Sequence, residues 1–285
     1  MFNYDEAFSR NIGWVTEEEQ QQLKNCKVAI GGLGGVGGSH LIVLARLGIS
    51  QFSISDLDEF DYPNFNRQYG ATCSTVGKPK AEVMEQVIRD INPQATITNF
   101  KEGINDQNLL AFLDGVDIYV DSLDIFAVDI RRKVFAKCRE LGIPAITAAP
   151  MGMGTAILVF LPDQGMSFEE YFGLEGLSLE DQVVKFVIGV SPSVQQRKYL
   201  VAKRSVNFLK KKVPSTIMGI ELAAGVCGSH VLKILLQRGP VPVAPRGLHF
   251  DAYRNKLLHT WRPFGHKNPL QRFMFWYLKR LLASD

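Results

Sequence analysis

Three glycines near the start of the chain have the spacing of a phosphate-binding loop. Gly32, Gly34 and Gly37 satisfy the pattern G-x-G-x-x-G within the stretch CKVAIGGLGGVGGS at residues 26–39. This spacing permits a tight turn and lets backbone N–H groups approach a phosphate closely. Asp56 follows roughly 20 residues later, where a carboxylate can bind ribose hydroxyls. The pattern predicts a nucleotide site, and NAD, FAD and ATP all remain open because each contains adenosine.

Two basic residues and a further carboxylate follow later in the chain. Arg67 lies in the stretch NFNRQ, Lys80 ends GKPK, and Asp124 ends VDSLD. A dinucleotide needs few fixed cations, because backbone N–H groups largely satisfy its pyrophosphate. Cleavage of a triphosphate requires cations for the charge that moves onto the leaving pyrophosphate. A carboxylate at the end of a strand can also hold Mg²⁺ beside a triphosphate. These residues therefore favour ATP.

Alternating strand and helix patterns place these residues near one edge of a sheet. The predicted strands cover residues 27–31, 51–55, 95–100, 116–121 and 145–148, and the predicted helices cover 16–25, 40–47, 78–91, 105–113 and 129–141. This alternation predicts an α/β fold, with a Rossmann-like, mostly parallel twisted sheet and helices on both faces. In such a sheet, ligands bind outside the carboxyl ends of the strands.

The second half of the chain predicts a C-terminal antiparallel and helical extension. We expect an antiparallel strand at 154–161, a long apolar helix at 215–237 and a hairpin at 248–261. The whole chain, 1–285, is expected to be one domain. It would carry a variable insertion at about 164–214 and an amphipathic tail at about 266–285, whose aromatic residues we interpret as core or dimer contacts.

Composition limits the possible classes of protein. The chain has 285 residues, 46% of them hydrophobic, and a formal net charge of +3, so charge alone does not predict nucleic-acid binding. Its four cysteines form no C-x-x-C pair, which argues against a disulfide framework or a cysteine-built zinc site. The polar N-terminus does not resemble a signal peptide, and no apolar stretch approaches the roughly 20 residues of a membrane span. We expect a cytoplasmic location.

The motifs in their order resemble the ThiF/MoeB/HesA superfamily, the adenylating enzymes related to the activators of ubiquitin-like proteins. The resemblance covers about residues 4–160 and returns at 214–236. It rests on SRNIG, GGLGGVGG, SDLDEFDYPNFNRQ, VGKPKAEV with INP, VDSLD and PSTIMGIELAAGV. The pairing of NRQ with GKPK is not typical of NAD dehydrogenases. The resemblance therefore favours an enzyme that uses ATP.

The resemblance implies a reaction and a set of site residues. A carboxylate would attack the α-phosphate of ATP, giving an acyl-adenylate and pyrophosphate, with ATP and Mg²⁺ as the cofactors. Arg10 would reach the triphosphate from the partner subunit of a homodimer, and Asp124 would position Mg²⁺. The remaining implied nucleotide contacts are the loop glycines Gly32, Gly34, Gly35 and Gly37, the ribose ligand Asp56, and the phosphate ligands Asn64, Arg67 and Lys80.

Three departures from the family pattern limit this reading. Relatives that form a thioester with a ubiquitin-like partner keep a cysteine after the main sheet, whereas residues 139–226 contain none. The zinc-binding C-x-x-C pairs of many members are missing. Ile125 occupies the position after Asp124, where the family often has Asn. We therefore expect adenylation without a catalytic-cysteine thioester and without zinc.

Three functions remain open. The first is activation of the carboxylate of a small carrier protein, a peptide or a small acid. The second is an enzyme like the tRNA threonylcarbamoyl-adenosine dehydratases, for which the basic run at 198–212 offers a phosphate-backbone contact. A tRNA partner is the less favoured of the two, since such runs are commonly solvated helix faces. The third is an NAD(P)-binding oxidoreductase or an inactive nucleotide-binding module.

Overall fold

The structure is a computed structural model that describes residues 1–202 and 213–283. In this part of the chain one sheet has eight strands, in the order β3-β2-β1-β4-β5-β6-β7-β8. The strands are β1 (Lys27–Gly31), β2 (Gln51–Ser55), β3 (Thr96–Asn99), β4 (Ile118–Asp121), β5 (Ala145–Met151), β6 (Gly154–Phe160), β7 (Arg246–Asp251) and β8 (Lys256–Trp261). Neighbours among β1 to β5 pair in parallel, and β6, β7 and β8 extend the sheet in antiparallel pairs. The predicted fold class is confirmed.

Helices cover both faces of this sheet. They are α1 (Tyr4–Ala7), α2 (Glu17–Asn25), α3 (Gly35–Arg46), α4 (Lys80–Ile91), α5 (Leu109–Phe112), α6 (Val128–Glu140), α7 (Phe168–Phe172), α8 (Leu179–Val190), α9 (Ile217–Leu235) and α10 (Pro269–Ala283). Thr16 caps α2 through a reciprocal pair of hydrogen bonds with Glu19. Helix α3 begins at Gly35, earlier than the predicted start at residue 40, because the glycines form its first turn rather than a separate loop.

The side chains of the central strands alternate between two cores. Val28 and Ile30 on β1 belong to the core that contains residues of α3, α4 and α9. Ala29, between them in sequence, belongs to a second core formed with α6, α7 and α8. This period of two is the pattern of a strand that is buried on both faces.

The first part of the region predicted as a variable insertion packs tightly against the sheet. Phe168 of α7 stacks on Phe135 of α6 with ring centroids 4.4 Å apart. Phe172 and Phe186 continue this aromatic layer with centroids 5.1 Å apart. Most of the basic run at 198–212 lies outside the described residues.

In the described part of the chain, one helix is long and apolar enough to cross a membrane, judged by length and composition alone. This helix is α9. Its 19 residues approach the length of a membrane span, so the expectation that no apolar stretch does so is wrong. In the structure it packs against α3, β5 and β6 and buries Ala223, Ala224, Cys227 and Val231. It therefore occupies the position of a core helix.

The C-terminal helix α10 packs on α8. Its aromatic side chains divide between two environments. Phe273, Trp276 and Tyr277 are exposed, so their interpretation as core residues is wrong in the single chain. Phe275 is half-buried and faces α8, where Lys185 lies 5.4 Å from its ring centroid.

Two glycines of α9 provide a matched test of this packing. A Cβ at Gly219 would overlap the carbonyl oxygen of Gly152, whereas a Cβ at Gly225 would meet nothing within 4 Å. We expect Gly219→Ala to destabilise the protein by about 1–3 kcal/mol, the range for overpacking. Gly225→Ala should stabilise it by roughly 0.5–1 kcal/mol, because glycine is unfavourable inside a helix. Urea unfolding of the full chain measures both, and changes of the same sign would contradict the packing described for α9.

Candidate functional site

The carboxyl ends of three parallel strands lie level at one edge of the sheet. Gly31, the last residue of β1, pairs with Ser55 at the end of β2 and with Asp121 at the end of β4. The glycine loop leaves β1 at this edge and enters α3 directly. The residues that follow β2 and β4 must therefore surround the N-terminus of α3.

The glycine loop lies in direct backbone contact with the residues after β4. Gly32 has a φ of 88°, and a Cβ there would overlap the carbonyl oxygen of Ser122. A Cβ at Gly37 would overlap the carbonyl oxygen of Gly32. Gly34 is different, since its nearest neighbour would be the Nε2 atom of Gln68 at 3.8 Å. The loop is thus closed towards the sheet and has room near Gly34, where the N–H groups of the first turn can meet a phosphate.

Asp56 is fixed to the glycine loop through its carboxylate. One oxygen accepts the N–H of Leu33 at 2.5 Å, and the other accepts the N–H of Asp58 at 2.8 Å. Burial raises the pKa of Asp56, while these two hydrogen bonds and the charge of Lys80 oppose that shift. The carboxylate therefore lies beside the loop, where the ribose of a bound nucleotide would be expected.

Lys80 is an unusually buried cation at the same place. Its side chain is 6% exposed, and its Nζ atom lies 2.9 Å from a carboxylate oxygen of Asp58, whose side chain is 73% exposed. The backbone N–H of Lys80 also donates to the carbonyl of Asp58 at 2.9 Å. An ammonium group has three donors. The ion pair with Asp58 uses one of them, so Lys80 can still donate to an anionic ligand.

Arg67 and Asn64 lie on the turn that follows β2. The amide oxygen of Asn64 accepts the N–H of Asp61 at 3.1 Å, and its carbonyl accepts the N–H of Arg67 at 3.0 Å. The guanidinium of Arg67 donates to the carbonyl of Pro63 at 2.8 Å. The Cγ atom of Arg67 would lie 3.5 Å from a Cβ at Gly35, so this side chain runs along the first turn of α3.

Two carboxylates after β4 have different environments. Asp121 is buried and forms a 2.8 Å ion pair with the Nε atom of Arg131, and both side chains are at most 2% exposed. Asp124 is exposed, and one of its oxygens accepts the N–H of Phe126 at 2.9 Å. Asp121 is therefore committed to Arg131, and Asp124 is the carboxylate that can reach a ligand or a cation.

Arg131 also holds the backbone that carries Asp124. Its Nη2 atom donates to the carbonyl of Leu123 at 2.5 Å, and its Nη1 atom donates to the carbonyl of Asp124 at 3.2 Å. The ring of Phe186 covers the guanidinium at 4.4 Å. Sequence reasoning missed this residue. The available signal was Asp121 itself, because a carboxylate within a buried strand requires a cationic partner.

Arg10 is not brought to the site within its own chain. The neighbouring Asn11 donates to the carbonyl of Leu47, just beyond the C-terminal end of α3, at 3.1 Å. The glycine loop is at the other end of this 12-residue helix, roughly 18 Å away. A single arginine side chain cannot bridge that distance.

Gln68 is a second residue that sequence reasoning missed. It is 7% exposed, its Oε1 atom has no hydrogen-bond partner among the described residues, and its Nε2 atom lies near Gly34. The motif NRQ contained this residue without indicating its role. The described chain also shows no group of three or more His, Cys, Asp or Glu residues that could hold a metal ion.

Comparison with known proteins identifies the family. Residues 8–272 match the ThiF family. The chain belongs to the ThiF family. The predicted superfamily is thereby confirmed, and the match includes all of the proposed site residues.

Two curated relatives have different named activities. The chain is 36% identical over 142 residues to the tRNA threonylcarbamoyladenosine dehydratase of Bacillus subtilis (strain 168), covering 50% of this chain and 55% of the relative. It is 30% identical over 183 residues to the molybdopterin-synthase adenylyltransferase of Salmonella typhimurium (strain LT2), covering 62% of this chain and 73% of the relative. The chain therefore spans only about half of the dehydratase's length.

A solved structure shares the fold. E. coli MccB with ATP has a TM-score of 0.64 and 22% identity to the chain, over 85% of this chain and 65% of MccB. A second structure of E. coli MccB contains AMPCPP and MccA. At this identity the likeness shows the common α/β fold.

His40 lies behind the glycine loop on α3. It is 1% exposed, and its Nδ1 atom lies 2.9 Å from the hydroxyl of Ser122. Burial lowers the pKa of His40 from 6.5 to about 4, although a backbone contact at Ala223 opposes the shift. The folded protein therefore holds this imidazole neutral between α3 and α9.

The buried His40 predicts a loss of stability in acid. Between pH 6.5 and about 4 the unfolded chain binds a proton that the folded chain excludes, so stability falls as the pH falls. This group should contribute roughly 3 kcal/mol of that loss, at about 1.4 kcal/mol for each unit of pKa shift. Urea unfolding between pH 7 and 4 should show a shallower pH dependence for His40→Gln than for the wild type. The exposed His259→Gln is the control, and an unchanged slope for His40→Gln would contradict the assignment.

Proposed function

We propose that this chain is an ATP-dependent adenylyltransferase that activates a carboxylate and releases pyrophosphate. The observation that carries the proposal is the buried cation Lys80 beside Asp56, at the edge where the glycine loop enters α3. Burying an ammonium group is costly without anionic partners. Its only ion-pair partner in the described chain is the exposed Asp58, and a triphosphate would supply the further negative charge.

Each site residue has a role in this proposal. The loop glycines Gly32, Gly34, Gly35 and Gly37 and the N-terminus of α3 would bind phosphate, and Asp56 would bind the ribose. Asn64, Arg67 and Lys80 would contact the phosphates. The exposed carboxylate of Asp124 fits one ligand of a Mg²⁺ ion that is otherwise bound by the triphosphate and water, as is usual for this cation. That ion would offset charge on the triphosphate.

The reaction needs orientation and charge stabilisation rather than a protein nucleophile. The substrate carboxylate would attack the α-phosphate, its oxygen would form the new P–O bond, and the bond to pyrophosphate would break. Arg67 and Lys80 would stabilise the negative charge that moves onto the leaving pyrophosphate. Their fixed positions supply this without reorganisation, because Arg67 is held on its turn and Lys80 is held by Asp58.

The cysteines support a reaction without a thioester. Cys26, Cys138 and Cys227 are buried, and burial raises the pKa of each thiol, that of Cys26 to about 11. Such thiols are poor nucleophiles at neutral pH. Cys73 is exposed and lies in a loop far in sequence from the region where thioester-forming relatives carry theirs. All four cysteines are free, which is compatible with the cytoplasmic location that we propose.

Two classes of carboxylate are compatible with the relatives. The named adenylyltransferase of Salmonella and the presence of MccA in one MccB structure support a carrier protein, peptide or small acid. The dehydratase of Bacillus, at 36% identity, supports a carboxylate attached to tRNA as the second candidate. The NAD(P) alternative is disfavoured, because Lys80, Arg67 and Asp124 have no role in binding a dinucleotide.

ATP–pyrophosphate exchange tests the central proposal. We expect exchange that depends on one acceptor from a panel of C-terminal peptides, their C-terminal amides, small carboxylic acids and bulk tRNA. Lys80→Met keeps the aliphatic stem but removes the charge. It should lower kcat by about 10²–10³, the range for one lost stabilising donor, with a smaller effect on the KM for ATP.

Lys78→Met is the matched control, since Lys78 is exposed two residues earlier in the same segment. It should leave kcat and KM nearly unchanged. Exchange with tRNA alone would select the dehydratase-like function. Tighter calorimetric binding of NAD than of Mg-ATP would refute the adenylation proposal.

We further propose a two-fold homodimer in which Arg10 completes the site of the partner subunit. This proposal is supported by the distance of Arg10 from the glycine loop of its own chain and by its exposure. A two-fold interface exchanges the same surface in both directions, so the two sites would form together.

Complementation tests this assignment. Arg10→Ala and Lys80→Met should each have strongly reduced activity alone, while a mixture with subunit exchange should recover part of the activity. A mixed dimer would have one site with both defects and one site with neither. Absence of recovery despite exchange shown by mass spectrometry, or a monomer at assay concentration, would remove the assignment.

A further inference from the structure

An open-sided cavity of about 380 Å³ lies between α7, α8 and the start of α10. Its volume is within the range of small-molecule sites, about 300–1,000 Å³. None of the proposed site residues around the glycine loop contributes to it. The lining residues are Tyr171, Phe172, Lys185, Ile188, His266, Lys267, Gln271, Arg272 and Phe275.

The charged side chains that line this cavity are all cations. Lys185, Lys267 and Arg272 line it, and no carboxylate does. Within residues 1–202 and 213–283, none of these three cations forms an ion pair. Lys185 donates one hydrogen to the carbonyl of Gly173 at 2.8 Å, which leaves two donors. Cations grouped around a concave surface attract anions.

One buried amide oxygen in the cavity wall has no hydrogen bond. Gln271 is 8% exposed, and its Oε1 atom has no partner among the described residues. This oxygen is an acceptor that solvent does not reach, so it offers nothing to an anion, and the cations alone would bind an acidic group. Lys267 and Arg272, the neighbouring cations, are themselves exposed at the rim.

The inner wall of the cavity is apolar. Tyr171, Phe172 and Ile188 are buried, and the hydroxyl of Tyr171 donates to the carbonyl of Gly189 at 3.0 Å, so this ring presents its apolar part. Phe275 lies opposite on α10, with Lys185 over its ring. A ligand here would have an apolar body against the aromatic rings and an acidic group towards the cations.

We propose that this cavity is a second ligand site, specific for a small organic anion that carries a carboxylate or phosphate on an apolar, ring-sized body. The cations bind the acidic group, and the aromatic wall contacts the body. This site lies apart from the glycine loop, so it does not depend on the proposed adenylation.

Calorimetry on the full chain with four probes tests the ligand class. Phenylacetate and phenyl phosphate combine an acidic group with a ring, phenylacetamide has the ring without the charge, and inorganic phosphate has the charge without the ring. At least one of the first two should bind with a Kd of about 1 mM or below, and at least about tenfold more tightly than the last two. Whichever of these two probes binds more tightly shows whether the site prefers a carboxylate or a phosphate. Saturating ATP should not displace the bound probe.

Variants locate the binding. Arg272→Met and Lys267→Met should each weaken the better probe at least about fivefold, because both cations line the cavity. Arg280→Met is the control, because Arg280 is a cation of the same helix that lies over Trp276, outside the cavity. It should change the affinity less than about twofold. Arg272 and Lys267 are both exposed, so neither substitution should impair folding.

Three results of the binding measurements would overturn the proposal. They are the absence of anion binding, equal affinity for phenylacetamide, and displacement by ATP. An equal loss in Arg272→Met and Arg280→Met would show a general effect of surface charge and would also overturn it.

Discussion

The candidate site depends on the close contact between the glycine loop and the backbone after β4. Gly32 and Gly37 leave no room for a Cβ, and this lets the loop lie directly on Ser122 and Leu123. The contact sets the position of α3 relative to the sheet. It also brings the turns after β2 and β4 to the same helix N-terminus. A side chain at either glycine would therefore displace α3 as well as the loop.

Buried charge fixes the two sides of this arrangement in different ways. On the β4 side, Arg131 and Asp121 satisfy each other, and the guanidinium also binds two backbone carbonyls. Removal of one partner from such a buried pair typically costs about 3–5 kcal/mol, so the backbone before Asp124 is rigidly held. On the β2 side, Lys80 has one exposed carboxylate partner, Asp58. The first pair is complete within the protein, and the second leaves a cation able to act on a ligand.

The sequence predicted those parts of the site that local rules determine. Glycine spacing, the acidic residue after β2 and the alternation of strands and helices each depend on neighbouring residues, and they led to the correct fold. The family was predicted from the resemblance of the ordered motifs. Arg131 was missed because its partner is ten residues away and is reached only when α6 packs on the sheet. The early start of α3 was missed because glycine is a poor helix former, and tertiary contact outweighed that preference. The charge of the α8–α10 cavity could not be read from the sequence, since its three cations come from two separate segments.

Beyond β4, the same edge of the sheet includes the turn between β5 and β6. The contacts of this turn are relevant to how an acceptor would reach the proposed nucleotide site. The turn between β5 and β6 is held by the hydroxyl of Thr216, which donates to the carbonyl of Gly152 at 2.6 Å, and by Tyr199, whose hydroxyl accepts the N–H of Met153 at 2.9 Å. Tyr199 in turn donates to the buried carboxylate of Asp251 at the end of β7.

These bonds tie the segment before residue 202 and the start of α9 to one turn at the carboxyl edge of the sheet. Asp56, Lys80 and Arg67 already occupy the β2 side of the glycine loop. In the proposed reaction we therefore expect an acceptor carboxylate to approach the α-phosphate from the β5 side. Acceptor specificity would then be decided by residues around this turn. This region belongs to the half of the chain where the motifs are sparse, which explains why the reaction can be argued from sequence more readily than its acceptor.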